Sequence, residues 1–376
     1  MDKQTNLTDY FKEVETQGTH NGYFCSVWET LTVVILGTLC GLRNVSQISQ
    51  WSENSRTRAF LAQKFGINNV PCYYWMLCLL KLVKPESLNQ CFMNWVQSLL
   101  PDGLNGYTLS FDGKTIRSTG KMQKYKSAMH IVSVHIAQLG ITLAQQTVDE
   151  KSNEIPAMRD LLSMLEVAGC MIVADALHCQ KETAADIVKK KADYLLNVKD
   201  NQATLKADIE DYIQDEPLRK AMASVTTCEK NRGRLERRTA LVTDVIDWLD
   251  GKSEWAGLAC IGAIHTQFTT HKGTSDEWHY FISSRNLTAE ELLKHARLEW
   301  SVESMHWLLD VHFQEDFCRV EDEAVQQLFN MVRKISLNAI KTYKLKSGSK
   351  KPLSNIMLNC LLDCDAMIPV LLACEN

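Results

Sequence analysis

The sequence predicts an α/β fold: helices flank a mixed sheet, an all-helical region precedes it, and a mostly β insertion interrupts it. Three observations lead to this prediction. Apolar residues recur at helical spacing through residues 1–105, strand-like runs alternate with helical segments from residue 106, and strand signals cluster in residues 203–285. Of the 376 residues, 45% are hydrophobic and 23% charged, which is ordinary for a soluble globular protein of more than one domain.

The N-terminal region, residues 1–105, is predicted to be helical throughout. The expected helices are Val27–Leu42, Thr57–Phe65, Tyr73–Leu80 and Glu86–Leu100. The mainly apolar run Leu31–Leu42 is too short to span a bilayer, so it predicts a buried helix rather than a membrane anchor. No export signal is visible near Met1, and we therefore expect a cytoplasmic protein without a membrane partner.

After a turn-rich linker at residues 101–106, the pattern changes to strands. The predicted strands are Tyr107–Ile116, His130–Gln138, Ile141–Val148, Met171–Ala174 and Tyr194–Val198, and helices are expected over Asn153–Glu166 and Lys181–Lys191. A strand meander followed by alternating strands and helices is the order of a ribonuclease-H-like domain. We assign this domain to residues 106–202 and 286–345.

Residues 203–285 are predicted to form the mostly β insertion, with strands at Thr239–Val245, Trp255–His265 and Trp278–Ser283. The chain then returns to helix over Ala289–Phe313 and Glu323–Tyr343. Residues 346–376 are expected to form a C-terminal tail that contains one short apolar helix.

Two aspartates and one glutamate are candidate ligands for divalent cations. Asp112 and Asp175 directly follow apolar runs, and the carboxyl ends of strands are where α/β sheets place their sites. Glu303 lies in a helix rich in large apolar residues, where an unpaired carboxylate would be costly. Taken singly, each acid has a plainer interpretation: Asp112 and Asp175 as turn formers, and Glu303 as an exposed helix residue.

Helical geometry places further polar residues beside Glu303. Glu299, Glu303, His306, Trp307 and Asp310 fall on one stripe of the predicted helix. Because like charges four residues apart repel, Glu299 and Glu303 are easier to accommodate beside a cation or a basic group. For His306 we favour a position at the edge of the core over a catalytic role.

Six segments, in order along the chain, resemble the motifs of one family. They are Phe111–Arg117, Asp149–Ile155, Ala174–Lys181, Tyr194–Gln202, Tyr280–Ser284 and Trp300–Val311. Together they look like the H-repeat-associated transposases, a branch of the bacterial insertion-sequence DDE transposases. The resemblance covers nearly the whole chain, including the N-terminal helical region that accompanies these transposase domains.

The resemblance implies roles for the three acids. Asp112, Asp175 and Glu303 would be the catalytic triad and would hold two Mg²⁺ or Mn²⁺ ions, which carboxylate oxygens select. The reactions would be strand cleavage at element ends and strand transfer. The partners would be double-stranded DNA, as element terminal repeats and target DNA, and a second copy of the chain in a homodimer at the nucleoid.

The candidate DNA-binding residues are Lys114, Arg117, Lys199, Asn201, Gln202, Arg232, Arg234 and Arg237. A lysine and two amides after a strand can anchor a phosphate and contact base edges, although a simple strand-end turn explains residues 199–202 equally well. The net charge of −4 and the pI of about 6.2 argue mildly against a nucleic-acid protein, but basic residues cluster locally. Alone, each cluster would also suit a solvated surface.

The sequence departs from the pattern of the family near the predicted site. Asp200, Glu299 and Ser304 stand where relatives usually carry Gly, His and Asn, and two of these changes add negative charge. A degenerate or domesticated DNA-binding descendant and a stand-alone metal-dependent nuclease therefore remain as alternatives. The N-terminal region is expected to recognise DNA ends or pair protomers, without contributing to the chemistry.

Overall fold

The computed structural model describes residues 7–18, 24–117, 119, 128–148, 154–231, 233–271 and 273–375. The helices are α1 (Val27–Leu39), α2 (Val45–Ser52), α3 (Ser55–Phe65), α4 (Tyr73–Leu80), α5 (Pro85–Ser98), α6 (Glu154–Met164), α7 (Lys181–Lys189), α8 (Ala203–Gln214), α9 (Glu216–Ala221), α10 (Ala289–His312), α11 (Glu323–Ser347), α12 (Leu353–Leu362) and α13 (Ile368–Leu372). The strands are β1 (Thr108–Ile116), β2 (Met129–Ile136), β3 (Ile141–Val148), β4 (Met171–Ala174), β5 (Asp193–Val198), β6 (Ala223–Asn231), β7 (Arg234–Thr243), β8 (Cys260–Thr270) and β9 (Gly273–Ser283). Within these residues no helix is both long and apolar enough to cross a membrane.

Helix α1 is the buried helix that the sequence predicts. Its N-terminus is closed by a capping box, in which Ser26 and Glu29 accept hydrogen bonds from each other's backbone N–H groups. Nearly all of its side chains are buried, and it packs against α11. One hydrophobic core consequently continues from Leu31 in α1 through Phe111 in β1 to Phe329 in α11.

The described strands form one nine-stranded sheet in the order β3-β2-β1-β4-β5-β9-β8-β7-β6. Strand β1 runs antiparallel to β2 and parallel to β4, and β4 runs parallel to β5. Strand β9 pairs antiparallel with β5, so strands β6–β9 extend the sheet that β1–β5 begin. The mixed α/β architecture that the sequence predicts is therefore confirmed.

Residues 203–285 differ from the prediction in two ways. They begin with helices α8 and α9, which the sequence analysis did not predict, although Leu205, Ile209 and Tyr212 recur at helical spacing and are buried. Strands β7, β8 and β9 are also displaced from or longer than the predicted segments, and β6 was not predicted. The outer halves of these strands are polar and largely exposed, so they carry little apolar alternation for a sequence analysis to detect.

Side-chain alternation decides which residues of the central strands face α10. Thr108, Ser110 and Asp112 share one face of β1, and Thr108 Oγ1 lies 2.9 Å from Nδ1 of His295 in α10. Leu109 and Phe111 point to the opposite face and belong to the large core. The face that carries Asp112 is therefore the face that α10 covers.

Candidate active site

Asp112 and Asp175 are neighbours in the sheet. Strands β1 and β4 are parallel with Phe111 opposite Ala174. The residue after Phe111, within β1, is Asp112, and the residue after Ala174, just past the end of β4, is Asp175. Asp175 follows Met171 and Val173 in the alternation, and both of these pack in a core cluster with α10 residues. Both carboxylates therefore lie on the side of the sheet that α10 covers.

Helix α10 carries Glu303 across this position. A capping box between Thr288 and Glu291 begins the helix, which packs against β1, β4 and β7. Three residues beyond Glu303, His306 Nε2 lies 3.4 Å from Asp112 Oδ2. Asp175 and Glu303 are exposed and Asp112 is partly exposed, so solvent and substrate can reach the three predicted acids.

The electrostatics show how closely these acids act on one another. Burial and the negative charges of Asp175, Glu154 and Glu303 raise the pKa of Asp112 to about 7. Burial and the charges of Asp175 and Asp112 raise the pKa of Glu299 to about 7 as well, with a further contribution from Glu303. We call Asp112, Asp175, Glu299 and Glu303 the acidic edge. Its surplus of hard oxygen ligands suits a divalent cation, which would favour the ionised carboxylates.

The acidic edge is not a preformed coordination sphere. Among the described residues, no three or more His, Cys, Asp and Glu side chains are arranged so that they could hold a metal ion together. The metal-binding roles of Asp112, Asp175 and Glu303 therefore stay predictions.

A set of paired charges lies directly beneath the acidic edge. Lys114 Nζ lies 2.6 Å from Asp310 Oδ1 and 2.6 Å from Glu315 Oε2. Lys334 Nζ donates a 2.7 Å hydrogen bond to Ser133 Oγ, opposite Asp112 in the β1–β2 register. We call Lys114, Asp310, Glu315 and Lys334 the ion-pair network. The predicted phosphate contact of Lys114 would have to compete with its two ion pairs.

His306 lies between the acidic edge and the ion-pair network. Burial and the positive charges of Lys114 and Lys334 lower its pKa to about 4, so the ring is neutral at physiological pH. Its ring also meets that of His135 edge-on, with the centroids 6.4 Å apart. The core-edge position is confirmed, but the ring additionally faces Asp112, which the sequence analysis did not foresee.

Residues 199–202 lie beside the acidic edge. Lys199 is exposed, and its charge lowers the pKa of Glu299 against the effect of burial. Asn201 Nδ2 donates to the carbonyl of Ala176 at 2.7 Å, and Gln202 Nε2 donates to that of Cys179 at 2.9 Å. These bonds hold the turn that begins at Asp175. This use of both amide nitrogens competes with the predicted base contacts.

The remaining predicted DNA contacts lie farther away. Arg117 is exposed just beyond β1, and Arg232 lies outside the described residues. Arg234 pairs with Glu236 and lies over the Phe268 ring at 4.7 Å, whereas Arg237 is exposed on the opposite face of β7. Five strand spacings separate β7 from β1, which is roughly 24 Å. Arg234 and Arg237 are thus remote from Asp112.

A buried cluster behind Asp112 was missed by the sequence analysis. His130 Nε2 lies 2.7 Å from Glu154 Oε1, and His178 Nε2 lies 3.9 Å from Glu154 Oε2. A Cβ atom on Gly113 would lie 2.5 Å from Glu154 Oε2, so Gly113 admits this carboxylate rather than forming a turn. The Asp149–Ile155 motif, which contains Glu154, was the part of the sequence that could have indicated this cluster. Residues 149–153 of the motif lie outside the described part of the chain.

Comparison with known proteins is consistent with this geometry. The family model described as "Transposase DDE domain" matches residues 105–339, and the model described as "DDE_Tnp_1-associated" matches residues 8–96. A solved piggyBac transposase synaptic complex with hairpin DNA covers 98% of this chain and 77% of its own, at 10% identity and a TM-score of 0.44. A likeness this weak supports no conclusion about the present chain.

Curated relatives extend over most of the chain. YhhI of Escherichia coli strain K12 is described as a candidate H repeat-associated transposase. It is 31% identical to this chain, over 85% of this chain and 88% of its own length. YncI of Escherichia coli O157:H7, also described as a candidate transposase, is 30% identical over 94% of this chain and 92% of its own length. YbfL of strain K12 is 31% identical over 85% and 86%. With the first family model covering more than half of its residues, the chain belongs to the family of transposases with a DDE domain.

Proposed function

We propose that this transposase cleaves and joins DNA strands with Asp112, Asp175 and Glu303 as the ligands of divalent cations. The observation that carries the proposal is the register of β1 and β4. It places Asp112 and Asp175 side by side on the face that α10 covers, and α10 carries Glu303. Family membership supplies the reaction class, and the acidic edge supplies the ligands.

The fold that we propose for the catalytic part is ribonuclease-H-like. Its support is the order β3-β2-β1-β4-β5, in which an antiparallel meander leads into parallel strands joined through helices. This order puts the end of β4 beside the middle of β1, where both aspartates lie. Strands β6–β9 are then an extension of this sheet on the side of β5.

Members of this family generally use divalent metal ions, and for this chain we propose two Mg²⁺ or Mn²⁺ ions. Cations held between the carboxylates would activate the attacking water or 3′-hydroxyl and stabilise the leaving oxygen. The neutral His306 ring keeps Asp112 oriented without adding a proton to it. Asn201 and Gln202 hold the turn that carries Asp175.

The proposed substrates are the terminal repeats of the element and the target DNA, both double-stranded. Two element ends must be held in one complex for strand transfer, so we propose that the protein acts as a homodimer at the nucleoid. Lys199 and Arg117 are exposed near the acidic edge and are the proposed phosphate contacts closest to the reaction. Arg234 and Arg237 would contact DNA at the far end of the sheet.

One observation favours a second candidate, a DNA-binding descendant that no longer moves DNA. Glu299 adds a fourth carboxylate to the acidic edge, where burial and the charges of Asp175 and Asp112 raise its own pKa to about 7. The family usually carries His at this position, which would not repel the triad. Inverted repeats flanking the gene would favour a mobile element, and their absence would favour the descendant.

The test is cleavage of labelled DNA that carries the sequences flanking the gene, using the full-length protein and Mg²⁺. Cleavage with joined products is expected from the natural protein, and none from Asp112→Asn, Asp175→Asn or Glu303→Gln. Glu290→Gln, an exposed change in the first turn of α10, is the matched control and should cleave normally. Cleavage without joined products would indicate a nuclease, and cleavage by Asp112→Asn would contradict the proposed site.

A further inference from the structure

A polar cleft lies where the N-terminal region meets the loop between α10 and α11. Its volume is about 780 Å³, within the range of ligand-binding clefts. Helices α2 and α4 form one wall, and residues 314–322 form the other. Lys81 of the first wall and Asp322 of the second form an ion pair of 2.9 Å, which fixes the two walls against each other. No function described above uses this cleft.

Three arginines line the cleft beside the Lys81–Asp322 pair and one further acid, Glu321, so basic residues outnumber acidic ones there. Arg43 and Arg319 are exposed, one on each wall, and neither forms an ion pair with a described residue. The third, Arg333 of α11, is only 2% exposed. Its Nη1 has no hydrogen-bond partner among the described residues, although the Phe329 ring lies 5.7 Å from its guanidinium carbon. The charge of Arg333 acts on the buried Glu315 and lowers its pKa, but the unpaired Nη1 still leaves a buried donor that an anion in the cleft could satisfy.

The start of α2 points to the same ligand chemistry. Asn44 caps this helix by accepting a hydrogen bond from the Gln47 backbone N–H at 2.9 Å. Val45 and Ser46 border the cleft, and the backbone N–H groups of a first helical turn have no partner inside the helix. Such a helix end attracts anions through these N–H groups and the helix dipole. Two independent features of the cleft therefore favour an anion.

We propose that this cleft binds a phosphate group of the DNA backbone; this rests on the proposed function. Backbone DNA is favoured over a free phosphate because the cleft is much larger than one phosphate group. Exposed aromatic side chains also border it, namely Tyr73 at 50% and Phe317 at 67% exposure. Such rings stack on bases or sugars beside a bound backbone. The N-terminal region thereby contributes a DNA contact.

The cleft lies next to the ion-pair network. Gln314 borders the cleft, and the next residue, Glu315, belongs to the ion-pair network beneath Asp112. Helix α10 runs nine residues from Glu303 to its end at His312, which is roughly 14 Å at 1.5 Å per residue. At 3.4 Å per nucleotide this corresponds to about four base pairs. The bound phosphate should therefore lie on the order of four base pairs from the cleaved bond.

The first experiment measures the salt dependence of DNA affinity for the full chain in EDTA, so that no cleavage occurs. The variants are Arg43→Gln, Arg319→Gln and both together. Each single change is expected to weaken binding and to lower the slope of log affinity against log salt by about 1, since one phosphate contact is lost. Arg159→Gln is the control, an equal charge change on α6, where Arg159 pairs with Asp186 at 2.6 Å. Slopes equal to that of the control would overturn the proposal.

Arg333→Met separates ligand binding from a structural role. Because Nη1 of the buried guanidinium lacks a partner, its removal should weaken DNA binding by the folded protein, whatever the loss of the Arg333 charge beside Glu315 does to the thermal unfolding midpoint. A lower midpoint with unchanged DNA affinity would show that Arg333 is structural and would contradict the proposal.

Two further arms identify the source of the phosphate and its position. In the first arm, inorganic phosphate is added and the unfolding midpoint is measured. If phosphate raises the midpoint of the natural protein but not of Arg319→Gln, and if the slopes of log DNA affinity against log salt do not change in the arginine variants, the cleft binds free phosphate and the DNA assignment is overturned. Single neutral methylphosphonates along the duplex should weaken binding at one position, and Arg319→Gln should remove that effect. Failure of the proposed function would give a different result from failure of this inference. The natural protein would then bind DNA with the expected dependence of affinity on salt, but it would not cleave the DNA.

Discussion

The acidic edge and the ion-pair network lie against each other and both contain Asp and Glu, but only the network also contains lysines that compensate these acids. In the network, Lys114 and Lys334 balance Asp310 and Glu315, and burial accompanies direct contacts of 2.6 Å. The acidic edge has four carboxylates, with Lys199 as a nearby cation that eases the pKa of Glu299. Loss of one charge from the network would therefore leave its buried partner uncompensated, whereas the acidic edge holds repulsion between carboxylates that a bound cation would relieve.

The pKa directions of Glu315 and Asp112 express the same difference, although burial still raises the pKa of Asp310 in the network. Burial alone would raise the pKa of Glu315, but Lys114 and Lys334 lower it below its usual value. Burial also raises the pKa of Asp112, and there the neighbouring charges of Asp175 and Glu154 raise it further, to about 7. The four predictions below test this contrast, beginning with the largest expected effect.

Lys114→Met should break the network. It leaves Asp310 and the buried Glu315 without their shared cation, and breaking a buried pair from one side costs about 3–5 kcal/mol. Chemical denaturation would measure the loss in the free energy of unfolding. Lys220→Met is the control, because its pair with Glu216 is exposed and should contribute about 1 kcal/mol or less. Equal losses in both variants would remove the distinction between the two regions.

The contribution of Asp112 to the stability of the metal-free protein should fall as the pH rises from about 4 to 7. A carboxyl group whose pKa is raised by folding keeps its proton in the folded state after the unfolded chain has lost it, so rising pH favours unfolding. For Asp112 the shift from 3.8 to about 7 sets an upper bound of about 4 kcal/mol. Thermal unfolding across this range is the measurement.

Two comparisons sharpen this pH prediction. Asp112→Asn should flatten the decline, because the variant has no proton to lose at this position. Mg²⁺ should stabilise the natural protein more at pH 8 than at pH 5, since only ionised carboxylates bind it well. A decline of the same steepness in Asp112→Asn would show that Asp112 does not titrate as the structure indicates.

Gly113→Ala should disturb the acidic edge from behind. The added Cβ would lie 2.5 Å from Glu154 Oε2, and His130 holds that carboxylate in place, so the overpacking should cost about 1–3 kcal/mol. Gly37→Ala is the control for packing alone, because the nearest atoms to the added Cβ belong to the Ile48 side chain, at 3.0 Å. Gly233→Ala would not serve as this control, because the φ angle of Gly233 is positive and the substitution would strain the backbone. A neutral Gly113→Ala would mean that Glu154 moves freely and does not buttress Asp112.

Asn201→Ala should have the smallest effect on stability, about 1 kcal/mol for the lost hydrogen bond to the Ala176 carbonyl. Its effect on cleavage should be larger than its effect on stability, because this bond holds the turn that presents Asp175. Thermal unfolding and cleavage rates of the same preparation would be compared. A loss of stability without any loss of cleavage would assign Asn201 to the fold alone.

Much of the central architecture was predictable because its strands are buried and its helices have clear apolar faces. Strand β4 coincides with the predicted Met171–Ala174, and β3 with Ile141–Val148. The sequence analysis missed helix α8 and strand β6. Acidic residues interrupt the apolar face of α8, and small polar residues in β6 leave it without a clear apolar pattern. The position of Asp112 and Asp175 after apolar runs was sufficient to nominate them.

The sequence by itself determined which acids follow apolar runs, which segment carries Glu303, and which family the motifs resemble. Only the tertiary structure decided that Lys114 is committed to Asp310 and Glu315, that Glu154 stands behind Gly113, and that Arg333 borders a cleft with the N-terminal region. The physical reason is the distance along the chain over which each kind of interaction acts. Alternation and helical periodicity are properties of neighbouring residues, whereas the partner of a charge is set by contacts between segments about 200 residues apart, such as Lys114 with Glu315, 201 residues later.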